Sequence, residues 1–313
     1  MTLMLLDAAS LYFRAFFGVK AKMAAPDGTP TNAVRGFLDM TSTLIQRFHP
    51  SDLVACLDED WRPAWRVELL PTYKTHRLAG TDGAPGGGKI GGAPAGEAEP
   101  PGLAEQVPII LDALAALGIA AVGAPEHEAD DVIGSYAEQA KMPVDVVTGD
   151  RDLFQLIDDA REIRVLYTGK GVAKLEIMDD AALSARYGIA PGQYADFATL
   201  RGDPSDGLPG VAGIGEKTAA GLLAKFGNLE ELLAAVDAGD RRVAGVASKL
   251  NAARDYLTRA PRVVGTVRTL DLPEVDTRLP SAPRHPDRVE ELGKRWAIGN
   301  ALGRITEALA SGA

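Results

Sequence analysis

Acidic side chains recur where apolar, strand-like segments of this chain end. Asp7 closes the run 3–6, and Asp58 follows the run 53–57. Further acids stand beyond later strand-like runs or in short polar turns: Glu128, Asp130, Asp131, Asp150, Asp152, Asp203 and Asp206. Ligands of an open α/β sheet bind beyond the carboxyl ends of its strands. We therefore expect these carboxylates to lie together, where they would repel one another unless a divalent cation neutralised them.

The ligand types favour one class of metal. The acids offer oxygen atoms only, and the sequence contains no cluster of His or Cys beside them. Oxygen-only sites suit Mg²⁺ or Mn²⁺ rather than zinc. A lone Asp after a strand is usually the N-cap of the next helix, so no single acid defines a site. Acids at corresponding ends of several segments together predict a Mg²⁺-type site for phosphate chemistry.

Length and composition set the class of protein. A chain of 313 residues, 46% of them hydrophobic, can bury a large core as one domain or two. Alternating helix-like and strand-like segments predict an α/β fold. The longest apolar stretches fall short of the roughly 20 residues of a membrane span, and the single Cys56 fits a reducing interior. We therefore expect a cytoplasmic protein without a membrane segment.

The net charge of −10 would ordinarily disfavour a nucleic-acid partner, because phosphate binding leaves a basic footprint. Many of the acids, however, belong to the set that a metal would neutralise. The basic side chains cluster within residues 62–77, 217–225 and 241–268. An acidic chain with such basic stripes is compatible with DNA.

Hydrophobic spacing outlines the elements that must position these acids. Predicted strands cover residues 3–6, 53–57, 119–122 and 144–147, and predicted helices cover residues 31–48, 107–117, 128–140 and 151–157. A β-hairpin is expected from residues 163–167 and 171–177. The chain becomes mainly helical afterwards, which places a boundary near residues 175–190. Residues 80–102 are rich in Gly, Pro and Ala and are expected to form a mobile insertion.

A glycine-rich segment, residues 207–227, predicts a turn that approaches phosphate. It is no P-loop, because an acidic residue separates Gly215 from Lys217, and no strand precedes it as a dinucleotide fingerprint requires. The better interpretation is a helix-hairpin-helix, in which Gly213 and Gly215 shape a tight turn before a helix that begins near Lys217 and Thr218. Backbone N–H groups at such a turn contact phosphate without base specificity. An ordinary glycine-rich helix turn is the alternative.

Residues 61–77 combine Trp, Arg, Tyr and Lys side chains. Lys74 and Arg77 are three apart and would share a helix face, which is suited to gripping one phosphate. Tyr73 could stack on a base. The alternative is a solvated basic face with an aromatic side chain packed beneath it.

Together these motifs resemble the bacterial 5′-nuclease family, which comprises flap endonucleases and the 5′→3′ exonuclease domain of DNA polymerase I. The resemblance covers roughly residues 3–265. It rests on the order and spacing of Leu5-Leu-Asp7, Leu57-Asp58, Leu70-Pro-Thr-Tyr-Lys-Thr-His-Arg77, Glu128-Ala-Asp-Asp131, Thr148-Gly-Asp-Arg-Asp-Leu153, Arg201-Gly-Asp-Pro-Ser-Asp206 and residues 207–227. No polymerase motif is seen, so we expect a stand-alone member.

The resemblance implies a fold and a division of the chain. It implies a PIN-like parallel α/β sheet flanked by helices in residues 1–180, with a helical arch inserted at about 61–107. It places a helical DNA-binding region in residues 181–313, with a helix-three-turn-helix at about 191–227. Because the glycine-rich stretch does not look helical, we hypothesise that the arch is disordered without DNA and orders on binding.

The resemblance also implies functional residues. Metal ligands would be Asp7, Asp58, Glu128, Asp130, Asp150 and Asp152, completed partly through water by Asp131, Asp203 and Asp206. Catalytic cations would be Lys74, Arg77 and Arg14, and DNA contacts would come from Tyr73, Gly213, Gly215, Lys217 and Thr218. Asp60 could compete with Asp58 as a ligand, because the segment after Asp58 is longer than the family spacing.

The implied activity is hydrolysis of DNA phosphodiesters at 5′ flaps, ends or nicks, for flap and primer processing in replication and repair. Two or more Mg²⁺ or Mn²⁺ ions would activate water and stabilise the leaving oxygen, and K⁺ is expected at the hairpin. We expect a monomer that binds DNA, with replication or repair proteins as further candidate partners. One alternative is a relative that binds flaps without cutting them, which should lack a metal ligand. Another is a small phosphohydrolase, which needs a partner two residues after Asp7 that the chain lacks.

Overall fold

The core of the molecule is a six-stranded sheet. The computed structural model describes residues 1–19, 23–78, 100 and 102–311. The strands are β1 (Leu3–Asp7), β2 (Asp52–Cys56), β3 (Ala120–Val122), β4 (Val144–Thr148), β5 (Ile163–Tyr167) and β6 (Glu176–Met178). They lie in the order β3-β2-β1-β4-β5-β6, with the first five strands of the chain parallel and β6 antiparallel to β5. The expected α/β fold with a parallel sheet is confirmed.

Apolar runs explain why these strands form a parallel sheet. Every residue of β1 and of β4 is buried, as is typical of strands covered by helices on both faces. The connections from β1 lead to one side of the sheet, and those from β4 lead to the other. A crevice opens at such a switch point, beyond the carboxyl ends of the strands. Asp7 and Asp150 lie at this crevice.

Helices cover both faces of the sheet. They are α1 (Ala8–Gly18), α2 (Asn32–Phe48), α3 (Ala64–Leu69), α4 (Val107–Leu117), α5 (Ala129–Gln139), α6 (Asp180–Tyr187), α7 (Tyr194–Arg201), α8 (Glu216–Phe226), α9 (Leu229–Asp237), α10 (Ala247–Ala252), α11 (Arg254–Val264), α12 (Pro286–Arg295) and α13 (Gly299–Ser311). Met4 and Leu6 of β1 pack in one layer with α1, α2 and α4. Leu3 and Leu5 pack in the other layer with α5, α7 and α8. This alternation follows from the two-residue period of a strand.

The two last helices differ from the expectation that residues 181–313 form one helical region. α12 and α13 pack against α4 and α2, and Leu302 and Ile305 are buried in the layer beneath α2. An extended segment leads to them along the sheet, where Thr277 O accepts a hydrogen bond from Leu53 N at 2.8 Å. The apolar face of α13 therefore belongs to the same packed layer as α2.

Two local predictions need correction. The expected hairpin exists as the pair β5 and β6, but its second strand begins only at Glu176. Val172 and Leu175 are buried in the connecting segment, which packs into the core instead of pairing. The predicted helix 151–157 is a 3-10 helix, Asp152–Leu156.

Much of the predicted arch falls outside the described residues. The glycine-rich stretch 80–102 lies there except for residues 100 and 102, and so does the hypothesis that the arch orders on DNA. The structure describes the start of this segment, with α3 and the 3-10 helix Thr75–Arg77. Within the described ranges, no helix combines the length and the apolar composition that crossing a membrane requires.

The basic segment, residues 70–77, follows α3 and is fixed against the turn that precedes α8. Lys74 N donates a hydrogen bond to Asp206 O at 3.0 Å. Gly207 follows with a φ of +70°, and a Cβ at this position would lie 2.1 Å from Thr72 O. Only glycine therefore fits here without moving the backbone of the basic segment.

Gly207→Ala should lower the melting temperature more than Gly188→Ala does. Gly188 has a φ of +71°, but a Cβ there would meet nothing within 4 Å, so the change should cost only about 1–2 kcal/mol for a left-handed alanine. Gly207→Ala adds a collision with the Thr72 carbonyl and should cost clearly more. Thermal melts of both variants measure the difference, and equal losses would contradict the close approach of the two segments.

Candidate active site

A cavity of about 690 Å³ opens at the switch point of the sheet. The end of β1, one face of α1, the loops after β2 and β4 and the start of α5 form its wall. Its acidic and basic residues are Asp7, Arg14, Asp58, Lys74, Arg77, Glu128, Asp130 and Asp150. The structure thus brings together five of the predicted carboxylate ligands and all three predicted catalytic cations. Asp58, and not Asp60, is part of this wall.

Asp7 connects β1 to α1. Its Oδ1 accepts a hydrogen bond from Ser10 N at 3.0 Å, and its Oδ2 accepts one from Thr148 Oγ1 at 2.7 Å. Burial, followed by the carboxylate of Asp58, raises the pKa of Asp7 to about 7. Burial, followed by the carboxylate of Glu128, raises the pKa of Asp58 to about 6. The protein alone therefore disfavours the anionic form of both groups.

The anionic form of Asp130 and of Asp152 is disfavoured in the same way. Burial, followed by the carboxylate of Asp150, raises the pKa of each well above its usual range. Asp150 also orients the next turn, since its Oδ1 accepts a hydrogen bond from Asp152 N at 2.9 Å. The Oδ1 atom of Asp152 is buried and has no hydrogen-bond partner among the described residues. A cation at this position would compensate the buried oxygen.

Glu128 differs because cations of the protein neutralise it. Its carboxylate accepts hydrogen bonds from Lys74 Nζ, from Arg66 Nη1 at 2.8 Å and from Tyr73 OH at 2.6 Å. Burial acts to raise the pKa of Glu128, but Lys74 and Arg66 lower it overall. Tyr73 is only 4% exposed. The prediction that Tyr73 stacks on a base is therefore wrong in this structure, where its ring packs beneath the basic segment.

Arg66 organises the buried side of the site, although the sequence did not single it out. Arg66 is 3% exposed, and its Nη1 and Nη2 contact the two carboxylate oxygens of Asp131 at 3.0 and 2.7 Å. Asp131 is fully buried and also accepts a hydrogen bond from Val267 N at 2.8 Å. An ion pair with Arg66 thus occupies the Asp131 carboxylate in this structure, and a contribution of Asp131 to a metal site through water stays a prediction.

Lys74 and Arg77 do not share a helix face. Lys74 has a φ of +49° and precedes the 3-10 helix Thr75–Arg77. Lys74 pairs with Glu128, whereas Arg77 Nη2 pairs with Asp206 Oδ1 at 2.8 Å. The prediction of a shared helix face is wrong, because a single tight turn replaces the helix that would align the two side chains, and their contact with one phosphate stays a prediction. Both cations still line the same cavity.

Asp203 and Asp206 lie beside the cavity rather than in its wall. Asp203 caps the following 3-10 helix, accepting a hydrogen bond from Ser205 N at 2.9 Å, and contacts Arg201 Nη2 at 3.2 Å. Burial raises the pKa of Asp206 to about 6, and the ammonium of Lys74 acts in the opposite direction. Both acids are therefore already used within the protein, and a contribution through water stays a prediction.

Two hydroxyl groups brace the crevice and were missed in the sequence. Ser10 Oγ accepts a hydrogen bond from Gly149 N at 2.9 Å, and Thr148 Oγ1 accepts one from Asp150 N at 2.8 Å. They tie the end of β1 to the end of β4. The one sequence feature that could have identified Ser10 and Thr148 is that each lies within three residues of a predicted ligand. Arg14 projects beside them, and its buried Nε has no partner in the part of the chain that the structure describes.

The cavity fits a hard divalent cation in its donor atoms but is not closed around one. Its carboxylates offer only oxygen ligands, which suits Mg²⁺ or Mn²⁺. Over the described ranges, no three His, Cys, Asp or Glu side chains stand close enough to hold a metal ion together. Ion pairs with Arg66 and Lys74 hold Glu128 to one side, and like charges keep the other acids apart. Side chains must move to complete a metal site.

The predicted hairpin lies between α7 and α8. Gly215 is the N-cap of α8, which begins slightly earlier than predicted. Gly213 has a φ of +75° that favours glycine, whereas Gly215 has an ordinary φ of −93°. Gly213, Gly215, Lys217 and Thr218 are all exposed on this turn. Lys249 Nζ donates a hydrogen bond to Gly213 O at 3.1 Å, so a further cation stands at the turn that the motif alone did not reveal.

Two family models match the chain. The model described as 5′-3′ exonuclease, N-terminal resolvase-like domain, matches residues 2–188. The model described as 5′-3′ exonuclease, C-terminal SAM fold, matches residues 189–286. The two matches adjoin and together span most of the chain.

Individual proteins show the same similarity. A 5′-3′ exonuclease of Streptomyces coelicolor is 54% identical over 307 residues, covering 98% of this chain and 99% of the relative. DNA polymerase I of Mycobacterium bovis is 38% identical over 295 residues, covering 93% of this chain and 30% of the polymerase. The bacteriophage T5 D15 flap endonuclease, solved in a complex with DNA and metal ions, has a TM-score of 0.61 at 16% identity, covering 100% of this chain and 99% of that one. The last similarity shows a shared fold.

Asp7→Asn should stabilise the metal-free protein at pH 8 and do so less as the pH falls. Because the folded-state pKa of Asp7 is raised from 3.8 to about 7, the stability that its protonated form provides is lost as pH rises from about 4 to 7. An uncharged Asn avoids this loss, which should amount to roughly 2–4 kcal/mol at pH 8. Denaturant unfolding in EDTA at several pH values measures the effect.

Asp145→Asn is the matched control, since this buried acid of β4 is bound by Arg164 Nε at 2.6 Å. Removing a compensated carboxylate should lower stability at pH 8 instead of raising it. A gain in Asp7→Asn that does not depend on pH would contradict the repulsion described here.

Proposed function

The chain belongs to the 5′-3′ exonuclease family, and from this premise we propose that it is a structure-specific nuclease that hydrolyses DNA phosphodiesters at 5′ flaps, ends or nicks. The observation that carries the proposal is the cavity at the switch point, where carboxylates and cations share one wall. Carboxylates hold divalent metal ions, and Lys and Arg bind phosphate. Similarity to DNA polymerase I supports a role in flap and primer processing during replication and repair.

Two or more Mg²⁺ or Mn²⁺ ions are the proposed cofactors. When bound, such ions would supply an activated water and charge stabilisation for the leaving oxygen of the phosphodiester. Asp7, Asp58, Asp130, Asp150 and Asp152 would hold them. Burial, together with neighbouring carboxylates, raises the pKa of Asp7, Asp58, Asp130 and Asp152, and a bound cation would compensate their negative charge. The metal ions in the T5 D15 complex support the use of metal ions by this chain.

Lys74, Arg77 and Arg14 would bind and polarise the scissile phosphate. In the structure Lys74 is paired with Glu128, and Arg77 is paired with Asp206. A phosphate that enters the cavity competes with these carboxylates for both cations. Glu128, once released, becomes available to a metal ion. This exchange of partners makes the binding of DNA and of metal mutually favourable.

The hairpin would hold the duplex part of the substrate. Backbone N–H groups at Gly213 and Gly215 stand at the N-terminus of α8, where the helix dipole favours a phosphate. Lys217 and Thr218 add side-chain contacts, and K⁺ is proposed at the same turn. In this proposal the nuclease core occupies residues 1–180, the helix-three-turn-helix occupies about 191–227, and the protein acts as a cytoplasmic monomer.

Asp150→Asn should abolish metal-dependent cleavage while DNA binding persists. The change removes one negative charge from the cavity but keeps the Oδ1 that accepts a hydrogen bond from Asp152 N. A 5′-flap duplex labelled at either end, incubated with Mg²⁺, Mn²⁺ or EDTA, measures the rate and position of cutting. We expect cuts near the flap junction and a loss of about 100-fold or more in the variant.

Asp112→Asn provides the control, because this acid of α4 pairs with Arg288 away from the cavity. It should cut at the wild-type rate. Flap binding without cleavage by the wild-type protein would assign a binding protein that has lost catalysis. Absence of any flap binding would contradict the proposed substrate.

Lys217→Ala should weaken flap binding in EDTA and reduce the slope of log Kd against log salt by about 1. The exposed ammonium would lose one phosphate contact and the counterion release that goes with it. Lys294→Ala in α12, where the ammonium pairs with Glu290, should leave both quantities unchanged. The assignment of the hairpin as a phosphate contact fails if the slope is the same in both variants.

A further inference from the structure

A short segment of backbone runs behind the carboxylates. This strap, residues 263–268, begins in the last turn of α11 and continues past its end. It lies directly on α5, since a Cβ at Gly134 would come within 2.9 Å of Val267 O. α5 carries Asp130 at its start. The strap therefore packs on the helix whose first turn carries Asp130.

Arg66 makes one connection to the strap. Its Nε donates a hydrogen bond to Val263 O at 3.1 Å, while its other nitrogen atoms hold Glu128 and Asp131. The guanidinium thus joins the strap to the segment that contains two of the predicted ligands.

Gln155, which lies in the same 3-10 helix as Asp152, makes the second connection to the strap. Its Nε2 donates hydrogen bonds to Asp152 O at 2.8 Å and to Val264 O at 3.1 Å, and its Oε1 accepts one from Thr266 N at 3.0 Å. Gln155 is 6% exposed. Both ends of the amide are therefore committed to backbone groups of these two segments.

We propose that Gln155 is a positioning residue that clamps the strap to the 3-10 helix of Asp152 and thereby sets the Asp152 carboxylate for metal binding. This inference rests on the proposed function, since it concerns the same metal site. Gln155 touches neither metal nor DNA in this role and acts only through the backbone of Asp152.

Asp152 depends on such a clamp because little else directs its carboxylate. Its Oδ1 has no hydrogen-bond partner within the described part of the chain, and the like charge of Asp150 pushes against it. The direction of the side chain then follows from its backbone, which Gln155 holds at the carbonyl. Side chains that orient a metal ligand in this way typically affect metal affinity or activity by about 10–100-fold.

The clamp also lies between the proposed DNA-binding helices and the cavity. α11, which ends in the strap, packs on α7, where Tyr256 OH donates a hydrogen bond to Thr199 O at 3.0 Å. α7 in turn packs on α8 beside the hairpin.

A purely structural Gln155 would instead satisfy buried carbonyls, and its loss would lower stability without changing metal affinity.

Gln155→Met separates the two roles, because it replaces the amide by an apolar chain of similar length. Ser135→Ala is the matched control, which removes hydrogen bonds from Ser135 Oγ to Val267 O at 3.2 Å and from Leu270 N at 3.1 Å, farther from Asp152. Both variants should lose stability. Only Gln155→Met should raise the Mg²⁺ dissociation constant of the DNA-free protein about 10-fold or more in a calorimetric titration. Its flap affinity in EDTA should match that of the control.

A second measurement needs no variant. If Mg²⁺ binding and the clamp favour each other, linkage requires that Mg²⁺ also strengthen the clamp. Hydrogen exchange at the Thr266 amide, which bonds to Gln155, should therefore slow on addition of Mg²⁺. The Leu279 amide, bonded to Ser51 O beside β2 at 2.9 Å, serves as the reference for general stabilisation.

Equal Mg²⁺ affinity in Gln155→Met and Ser135→Ala would overturn the positioning role. So would a Thr266 amide that slows no more than Leu279. Weakened Mg²⁺ binding in Gln155→Met, in a protein whose wild type cuts no DNA, would preserve the positioning role and defeat the proposed function. Loss of cleavage in Gln155→Met with unchanged Mg²⁺ affinity would preserve the proposed function and defeat the positioning role.

Discussion

Mutual repulsion among buried carboxylates at one edge of the sheet is the constraint on which the rest of the structure depends. The switch point between β1 and β4 gathers acids around one cavity, and burial strengthens each repulsion by excluding water. Such a cavity must neutralise its acids, protonate them or keep them apart. The structure does all three. Glu128 is neutralised, Asp7 and Asp58 have a raised pKa, and no ligand cluster is closed within the described residues.

The cationic side chains that pair with these carboxylates are of two kinds. Arg66 is buried behind the cavity and bound on several sides, so it belongs to the permanent structure. Lys74 and Arg77 line the cavity and pair with the carboxylates of Glu128 and Asp206. The same charges therefore stabilise the protein alone, and in the proposed function they also bind a phosphate. The close approach of Gly207 to Thr72 fixes the segment that carries both cations beside the acids.

The sequence predicted the sheet and its acidic edge because both depend on local pattern. Buried parallel strands are continuous apolar runs, and an acid after such a run lies at a known edge whatever the rest of the chain does. The roles of Asp131, Tyr73 and Arg66 depend on distant residues that fold onto them, and local pattern contains no such information. The packing of α13 on the sheet layer was likewise not predicted, because an amphipathic helix does not specify which apolar face it covers. The spacing of Lys74 and Arg77 suggested a helix, but tertiary contacts impose a tight turn.

The central claim is that the cavity holds carboxylates whose negative charge a bound metal ion would neutralise. Calorimetric titration of the DNA-free protein with Mg²⁺, in two buffers of different ionisation enthalpy, counts the protons released on binding. Asp7 and Asp58 have pKa values of about 7 and about 6, so the metal-free cavity retains protons near pH 6 that binding must displace. The account predicts release of about one proton or more near pH 6 and clearly less at about pH 8.5, where Asp7 and Asp58 no longer retain theirs. Mg²⁺ binding without proton release at either pH, or no binding, would contradict it.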